Sequence, residues 1–158
     1  MSAIIPRTGL KEGEKILWFG RPRLLAFLGR LILSSMLIFF GMLLLPSPWI
    51  PVGAILLTIG VIIIAYTVVK VRAHAYYITN MRVLEEYTLI SRTIKETTLD
   101  KITDIVLHQG AFGRLLNYGT LHIHTAGTGF PGIDFRHVKD PVVVRGTLIN
   151  AKDAYQTK

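Results

Sequence analysis

The stretch LILSSMLIFFGMLLLPSPWIPVGAILLTIGVIIIAYTVV, Leu31 to Val69, runs for 39 residues without an Asp, Glu, Lys, Arg or His. A core helix of a soluble domain does not need such a run, whereas two membrane spans do. Pro46-Ser47-Pro48-Trp49-Ile50-Pro51 divides it, and three prolines in six residues cannot continue a helix. Working outward from this break, one apolar stretch covers residues 24–45 and the other 52–71. Each is about 20 residues, which at about 1.5 Å per residue gives about 30 Å, the thickness of the hydrocarbon core. The expectation is a transmembrane helical hairpin over residues 24–72. Trp49 suits the headgroup interface, where its ring is buried and its N–H stays wet.

Charge flanks this run on both sides. Arg7, Lys11, Lys15, Arg21, Arg23 and Arg30 come before it, Lys70, Arg72 and Arg82 come after it, and the hairpin loop has none. Basic residues near span ends stay on the cytoplasmic side. The expectation is therefore a multi-pass protein of the cell membrane with both termini cytoplasmic. Residues 1–23 would be a cytoplasmic N-terminal segment and 73–158 a cytoplasmic domain. Arg30 lies within about two turns of the start of its span, close enough to snorkel to the phosphates; the rival reading is a buried functional charge. Arg21, Arg23, Arg30, Trp49, Lys70 and Arg72 are the expected membrane-interface residues. A signal peptide would need a small-residue cleavage site after the first apolar run. Prolines stand there instead, and a second apolar run follows.

The whole chain has 158 residues, 51% hydrophobic and 18% charged, too apolar for intrinsic disorder. Its net charge of +8 would ordinarily suggest nucleic acid or an anionic membrane. Residues 1–30 carry six basic and two acidic side chains, packed against the apolar run. The basic charge therefore belongs to the membrane border, and no dense basic stripe for a nucleic acid is present. With no cysteine there is no disulfide framework, thiolate nucleophile or Cys-ligated metal.

After residue 72, alternation and β-branched residues take over. Strands are expected at Ala73–Thr79, Val83–Ile90, Arg92–Leu99, Ile102–Gln109, Thr120–Ala126 and Ile133–Val138. Asn80-Met81-Arg82 reads as a turn, Gly110-Ala111-Phe112-Gly113 as a break, and Gly127–Gly132 as a loop. Asp140 is a good N-cap and Pro141 fits a first helical position. Val144, Leu148, Ala151 and Tyr155 then share one helix face. About six antiparallel strands and a closing helix give a small barrel or bent sheet.

Several stretches carry a resemblance. They are Gly13-Glu14-Lys15-Ile16-Leu17-Trp18-Phe19-Gly20-Arg21-Pro22, then Tyr77-Ile78-Thr79-Asn80-Met81-Arg82-Val83. Next come Leu99-Asp100-Lys101-Ile102-Thr103-Asp104-Ile105 and Gly113-Arg114-Leu115-Leu116-Asn117-Tyr118-Gly119-Thr120, and finally Asp140-Pro141. In this order they resemble the membrane-flanked bacterial pleckstrin-homology-like (PH-like) domain family, over about residues 12–150. One departure is Thr88-Leu89-Ile90, where such domains often carry a Gly. The resemblance implies a bent antiparallel sheet closed by a C-terminal helix and no enzyme activity; separately, no cofactor is expected.

Little in the residues points to chemistry. His122 and His124 form an H-x-H pair, His108 lies on a neighbouring strand, and only Asp104 adds a carboxylate. Two solvent-facing imidazoles on a sheet are the plainer reading than a metal site. There is no G-x-S-x-G, and the glycines of 127–132 are not followed by Lys-Ser/Thr. Asp100 and Asp104 suit ion pairs with Lys101 and Arg114 or a turn cap better than acid–base work. Phosphoinositide binding would need converging cations, and the first hairpin offers Arg82 alone. Phe130, at the tip of the glycine loop, is the candidate partner contact. The reading is a non-enzymatic, membrane-anchored module for protein interaction or scaffolding, an accessory subunit of a larger membrane complex. Its partners would be the lipid bilayer and a protein or a second copy of the chain, with no nucleic acid. The alternative is a transporter or channel component, which needs polar groups at mid-depth. Ser34, Ser35, Gly41, Gly53, Ala54 and Gly60 are small enough for close helix approach, between the two spans or to neighbours.

Overall fold

The structure, a computed structural model, describes residues 6, 9–126 and 132–157. The chain divides into two compact units, residues 24–71 and the remainder up to Arg23 and from Arg72 onward.

The first unit is helical. A 3-10 turn at Leu24–Phe27 leads into α1 (Leu28–Leu44), and α2 follows over Ile50–Ala73. The break is shorter than the proline run, because Pro51 falls in the first turn of α2, where a missing N–H costs nothing. Leu24–Leu44, the 3-10 turn and α1 together, and α2 are each long and apolar enough to cross a membrane. They pack backbone to backbone through their small residues. A Cβ on Gly41 would lie 2.8 Å from the Gly53 carbonyl oxygen, and one on Gly60 would lie 3.0 Å from the Ser34 carbonyl oxygen. Ser34, Gly41, Gly53, Gly60 and Thr67 are buried, whereas Ser35 and Ala54 are exposed. Four of the six small residues thus serve contact between the two helices themselves. The outer faces present Phe39, Met42, Leu43, Ile55 and Ile62.

Among the described residues the second unit contains seven strands, one more than the alternation marks. β1 (Ile16–Gly20) lies in the lead-in ILWFG, whose mostly apolar residues show no period of two. It pairs with β2 (His74–Thr79), and β3 (Arg82–Thr88) and β4 (Arg92–Thr98) complete an antiparallel sheet in the order β1-β2-β3-β4. A 3-10 turn at Leu99–Lys101 leads to β5 (Ile102–His108), and the short helix α3 (Ala111–Leu115) to β6 (Tyr118–Thr125) and β7 (Ile133–Lys139). These last three strands form the second sheet, β5-β6-β7. α4 (Pro141–Gln156) closes the unit. β3 stops at Thr88, two residues short of the expected Ile90, because Leu89-Ile90-Ser91 forms the turn and Thr88 faces Arg92. Arg82 is the first residue of β3, not the last of the turn.

One core joins both sheets and the helix. Tyr76 stacks on Phe135 at 4.7 Å, Trp18 stacks on the same ring at 5.9 Å, and Val144, Leu148 and Ala151 of α4 are buried beside them. Strict alternation in β7 would bury residue 137. Instead His137 takes φ 55° and the register slips between Gly119 and Leu121, so Val138 turns inward. This is a β-bulge. Asp140 precedes the helix as expected but does not cap it with its side chain. It sits at φ 49°, and its Oδ1 accepts a hydrogen bond from Asn117 Nδ2. Its carbonyl accepts from the amides of Val143 and Val144 instead.

Topology gathers the connections at two ends. β1 finishes at Gly20, opposite Tyr76 near the start of β2, so the helical hairpin is inserted between two paired strands. The same end holds the β3–β4 turn, since Tyr87 faces His74, together with α3 and the start of α4. The opposite end holds the Asn80–Met81 turn, the 3-10 turn at Leu99–Lys101, and the ends of β6 and β7 that flank residues 127–131.

Candidate functional site

Arg82 is the cation that a headgroup site in the first hairpin would need, and it is already engaged. Its Nε donates to Glu14 Oε1 at 2.8 Å and its Nη2 to Glu14 Oε2 at 3.0 Å. Nη1 meets Glu96 Oε2 at 2.5 Å, and Nη2 also reaches the Gly9 carbonyl at 3.0 Å. Thr79 Oγ1 and the Lys11 amide complete the shell of the Glu14 carboxylate, at 2.8 and 2.7 Å. Burial alone would raise the Glu14 pKa, but the hydrogen bonds from Arg82, Lys11 and Thr79 outweigh it and hold the carboxyl below its usual range. The same Glu14 contact, against the cost of burial, raises Arg82. This cluster fastens the N-terminal segment to the β2–β3 hairpin. It leaves Arg82 no free fork for an outside anion.

Of the expected membrane-interface residues, Arg21, Arg23, Arg30, Lys70 and Arg72 lie in sequence near the two junctions between the units, and Trp49 lies between the helices. Arg23 Nη1 donates to the carbonyls of Leu116 and Asn117 at 2.7 and 3.2 Å, and the Arg23 amide donates to the His137 carbonyl at 2.7 Å. Arg21 lies over the Phe19 ring at 5.6 Å. Arg30, in the first turn of α1, lies over Phe27 at 5.7 Å, and Lys70 over Tyr66 at 5.8 Å. Arg72 is exposed at the end of α2. Trp49 is 65% exposed between the helices, and its carbonyl accepts from the amides of Val52 and Gly53. Phe130 lies outside the described residues.

The GRLLNYGT stretch has a local reason at this end. A Cβ on Gly113 would lie 2.7 Å from the Tyr118 carbonyl oxygen, and one on Gly119 would meet Pro141 at 3.0 Å. Asn117 adopts φ 51°, a left-handed conformation that Asn tolerates. The turn from α3 into β6 thereby folds tightly under the start of α4 and presents the carbonyls that Arg23 grips.

The histidines do not converge on a metal. His122 and His124 share the outward face of β6, and His122 Nδ1 is 2.8 Å from Asp134 Oδ1. Arg136 holds the other oxygen of Asp134 at 3.0 Å. Burial works against ionisation of Asp134, yet His122 and Arg136 lower its pKa. Asp104 Oδ1 accepts from the Ile105 amide at 2.8 Å. Among the described residues no group of three His, Cys, Asp or Glu is placed to hold a metal. Nothing in the sequence signals Glu14 as the partner of Arg82, because the two stand 68 residues apart.

Two antiparallel sheets with a C-terminal helix across their shared core are the architecture of a PH-like domain. The family model described as Bacterial PH domain matches residues 24–152, and the chain belongs to that family. The match takes in the helical hairpin and the elements from β2 to β7, ends within α4 at residue 152, and leaves β1 outside. No curated protein and no solved structure matches the chain.

Proposed function

We propose that this chain is a membrane-anchored, non-enzymatic PH-like interaction module, with its hairpin across the cytoplasmic membrane and both termini on the cytoplasmic side. The observation that carries the reading is the placement of the hairpin between β1 and β2, two paired strands of one sheet. A chain that leaves a folded unit and returns to its neighbouring strand crosses the bilayer an even number of times. The outer faces of α1 and α2 are apolar and exposed, and lipid is the solvent that suits them. Flanking Arg21, Arg23, Arg30, Lys70 and Arg72 set the orientation. The PH-like unit is then a scaffold that docks a protein partner or a second copy, as an accessory subunit of a larger membrane complex. The open groove lined by Leu17, Asn80, Thr147, Asn150 and Tyr155 lies at the end away from the chain crossings and is the surface offered to that partner.

The transporter reading finds no support in the helices. The hydroxyls of Ser34, Thr58 and Thr67 are bonded to carbonyls of their own helices at 2.9, 2.8 and 2.7 Å. They supply no polar lining.

The chain has no cysteine, so single-cysteine labelling tests the topology cleanly. In intact cells Ser47→Cys is expected to react with an impermeant maleimide, and Ala154→Cys only after permeabilisation. The opposite pattern overturns the orientation. Native purification with mass spectrometry tests the module reading, and recovery of this chain alone as a monomer would count against it.

A further inference from the structure

The most exposed large apolar side chains described in the PH-like unit are Ile90 (100%), Leu115 (80%), Phe112 (73%), Val142 (66%) and Val143 (63%), and the next is Leu17 at 48%. All five lie at one end of the unit. Phe112 and Leu115 are on α3, and Val142 and Val143 are in the first turn of α4, joined to the α3 corner through Asn117 and Asp140. Ile90 tips the β3–β4 turn, and β3 meets the start of β2 where Tyr87 faces His74. This is the end at which the chain passes to and from the hairpin. Arg23, whose side chain grips the Leu116 and Asn117 carbonyls, is followed directly by Leu24, and α2 ends at Ala73 where β2 begins at His74. Exposed arginines stand within three residues of these apolar tips, at Arg92, Arg114 and Arg145, and beside the junctions with the hairpin, at Arg21 and Arg72. Of the acids at this end, Asp140 is held by Asn117 and lies 3.7 Å from Lys139, and Glu86, opposite Ala75, is buried.

We propose that this end of the PH-like unit is a membrane-inserting face, with Phe112, Leu115, Val142, Val143 and Ile90 seated in the interfacial layer of an anionic bilayer and the arginines on its headgroups. The proposal rests on the hairpin being a membrane anchor. It goes further, because an anchor alone leaves the unit free to stand off the surface. An apolar tip flanked by cations is the chemistry of an interfacial lipid contact. A protein partner has no comparable reason to sit where the chain itself meets the hairpin. The PH-like unit would then be held in one orientation, with the groove by Tyr155 turned to the cytoplasm.

The test uses the full chain in nanodiscs containing phosphatidylglycerol, with one environment-sensitive fluorophore at a time on Leu115→Cys, Ile90→Cys, Asn150→Cys or Ile62→Cys. Lipids spin-labelled high on the acyl chain serve as quenchers for positions 115, 90 and 150, and lipids spin-labelled near the chain end for position 62, which lies at the middle of α2. Quenching at positions 115 and 90 is expected to be several-fold stronger than at 150, and to weaken when phosphatidylcholine replaces the anionic lipid. Quenching at 62 with none at 115 or 90 overturns the inserting face while the anchor stands. Absence of quenching at 62 as well overturns the anchor and the face together.

Discussion

Arg82 of β3 and Glu14 of the N-terminal segment, 68 residues apart, form a two-point ion pair at 2.8 and 3.0 Å with the carboxylate fully buried. Removing one partner of such a pair strands the other without solvent. Arg82→Ala is therefore expected to destabilise the PH-like unit by about 3–5 kcal/mol, and Arg82→Lys, which cannot make the planar fork, by part of that. Thermal unfolding of the detergent-solubilised chain measures both. The double variant Glu14→Gln/Arg82→Met is expected to be more stable than Arg82→Ala, because no buried charge is left alone. If Arg82→Ala unfolds like the parent, the cluster does not hold β1 in place.

The same cluster sets an acid limit. Burial pushes the Glu14 carboxyl up, and the hydrogen bonds from Arg82, Lys11 and Thr79 bring it below its ordinary value. A carboxyl lowered on folding contributes stability that is complete above the unfolded value, about 4.3 for Glu, and is lost as pH falls through the folded one. Asp134 adds to this in the same direction through His122 and Arg136. Unfolding free energy is thus expected to drop as pH falls below about 4.3. Glu14→Gln should be less stable at neutral pH and lose less on acidification. A variant that keeps the parent's acid slope would refute the assignment.

Glu85 runs the other way. It is buried on β3, and desolvation raises its pKa, with Lys95 at 3.7 Å offsetting only part of the cost. A carboxyl raised on folding weakens the fold once pH exceeds the unfolded value, since ionisation then favours the unfolded chain. Glu85→Gln is expected to be more stable than the parent at pH 7 and no more stable at pH 3. Chemical denaturation at the two pH values decides it. A stability gain at pH 3 would mean that Gln packs better and that the charge is not the cause.

The parts of this architecture that depend on local period were legible in the chain. The uncharged run from Leu31 to Val69 marks two helices, and alternation in Thr120–Ala126 puts Leu121 and Ile123 inside with His122 and His124 outside. Val144, Leu148 and Ala151 likewise fall on the buried face of α4. What escaped were effects with no local period. β1 is a strand because β2 offers it an edge, with Gly20 opposite Tyr76 across the inserted hairpin. Arg82 reads as a turn cation until Glu14 arrives from 68 residues away. Asp140 has the residue type of an N-cap, but its carboxylate is drawn to Asn117, a contact set by the bulge at His137 and the tight corner before β6.

The glycines of the hairpin give a prediction with its own control. A Cβ on Gly41 would lie 2.8 Å from the Gly53 oxygen and 2.9 Å from the Leu57 nitrogen, so the helices would have to part. Overpacking of that kind costs about 1–3 kcal/mol. Gly29, in the same helix, has nothing within 4 Å of such a Cβ. In micelles Gly41→Ala is expected to lower the helix melting temperature followed at 222 nm, and Gly29→Ala to leave it unchanged or raise it. Equal effects at the two positions would show that α1 and α2 do not meet at Gly41.

Arg23 is the last residue before the hairpin, and its grip on Leu116 and Asn117 carries a local prediction. A charged donor on two carbonyls is worth more than a neutral one, about 1.5–3 kcal/mol if fully desolvated and less here, where Arg23 is half-exposed. The carbonyls belong to the α3–β6 corner, whose Asn117 already stands at φ 51°. Arg23→Ala removes the side-chain bonds but keeps the backbone bond from the Arg23 amide to the His137 carbonyl. The loss should therefore appear as local opening and not as global unfolding. Hydrogen exchange is expected to quicken at the amides of Leu116, Asn117 and Tyr118, while those of β2 and β3 keep their protection. Uniform acceleration across both sheets would make Arg23 a determinant of the whole fold. Unchanged exchange at the corner would mean that the left-handed turn at Asn117, packed under Pro141, is sufficient to hold it closed.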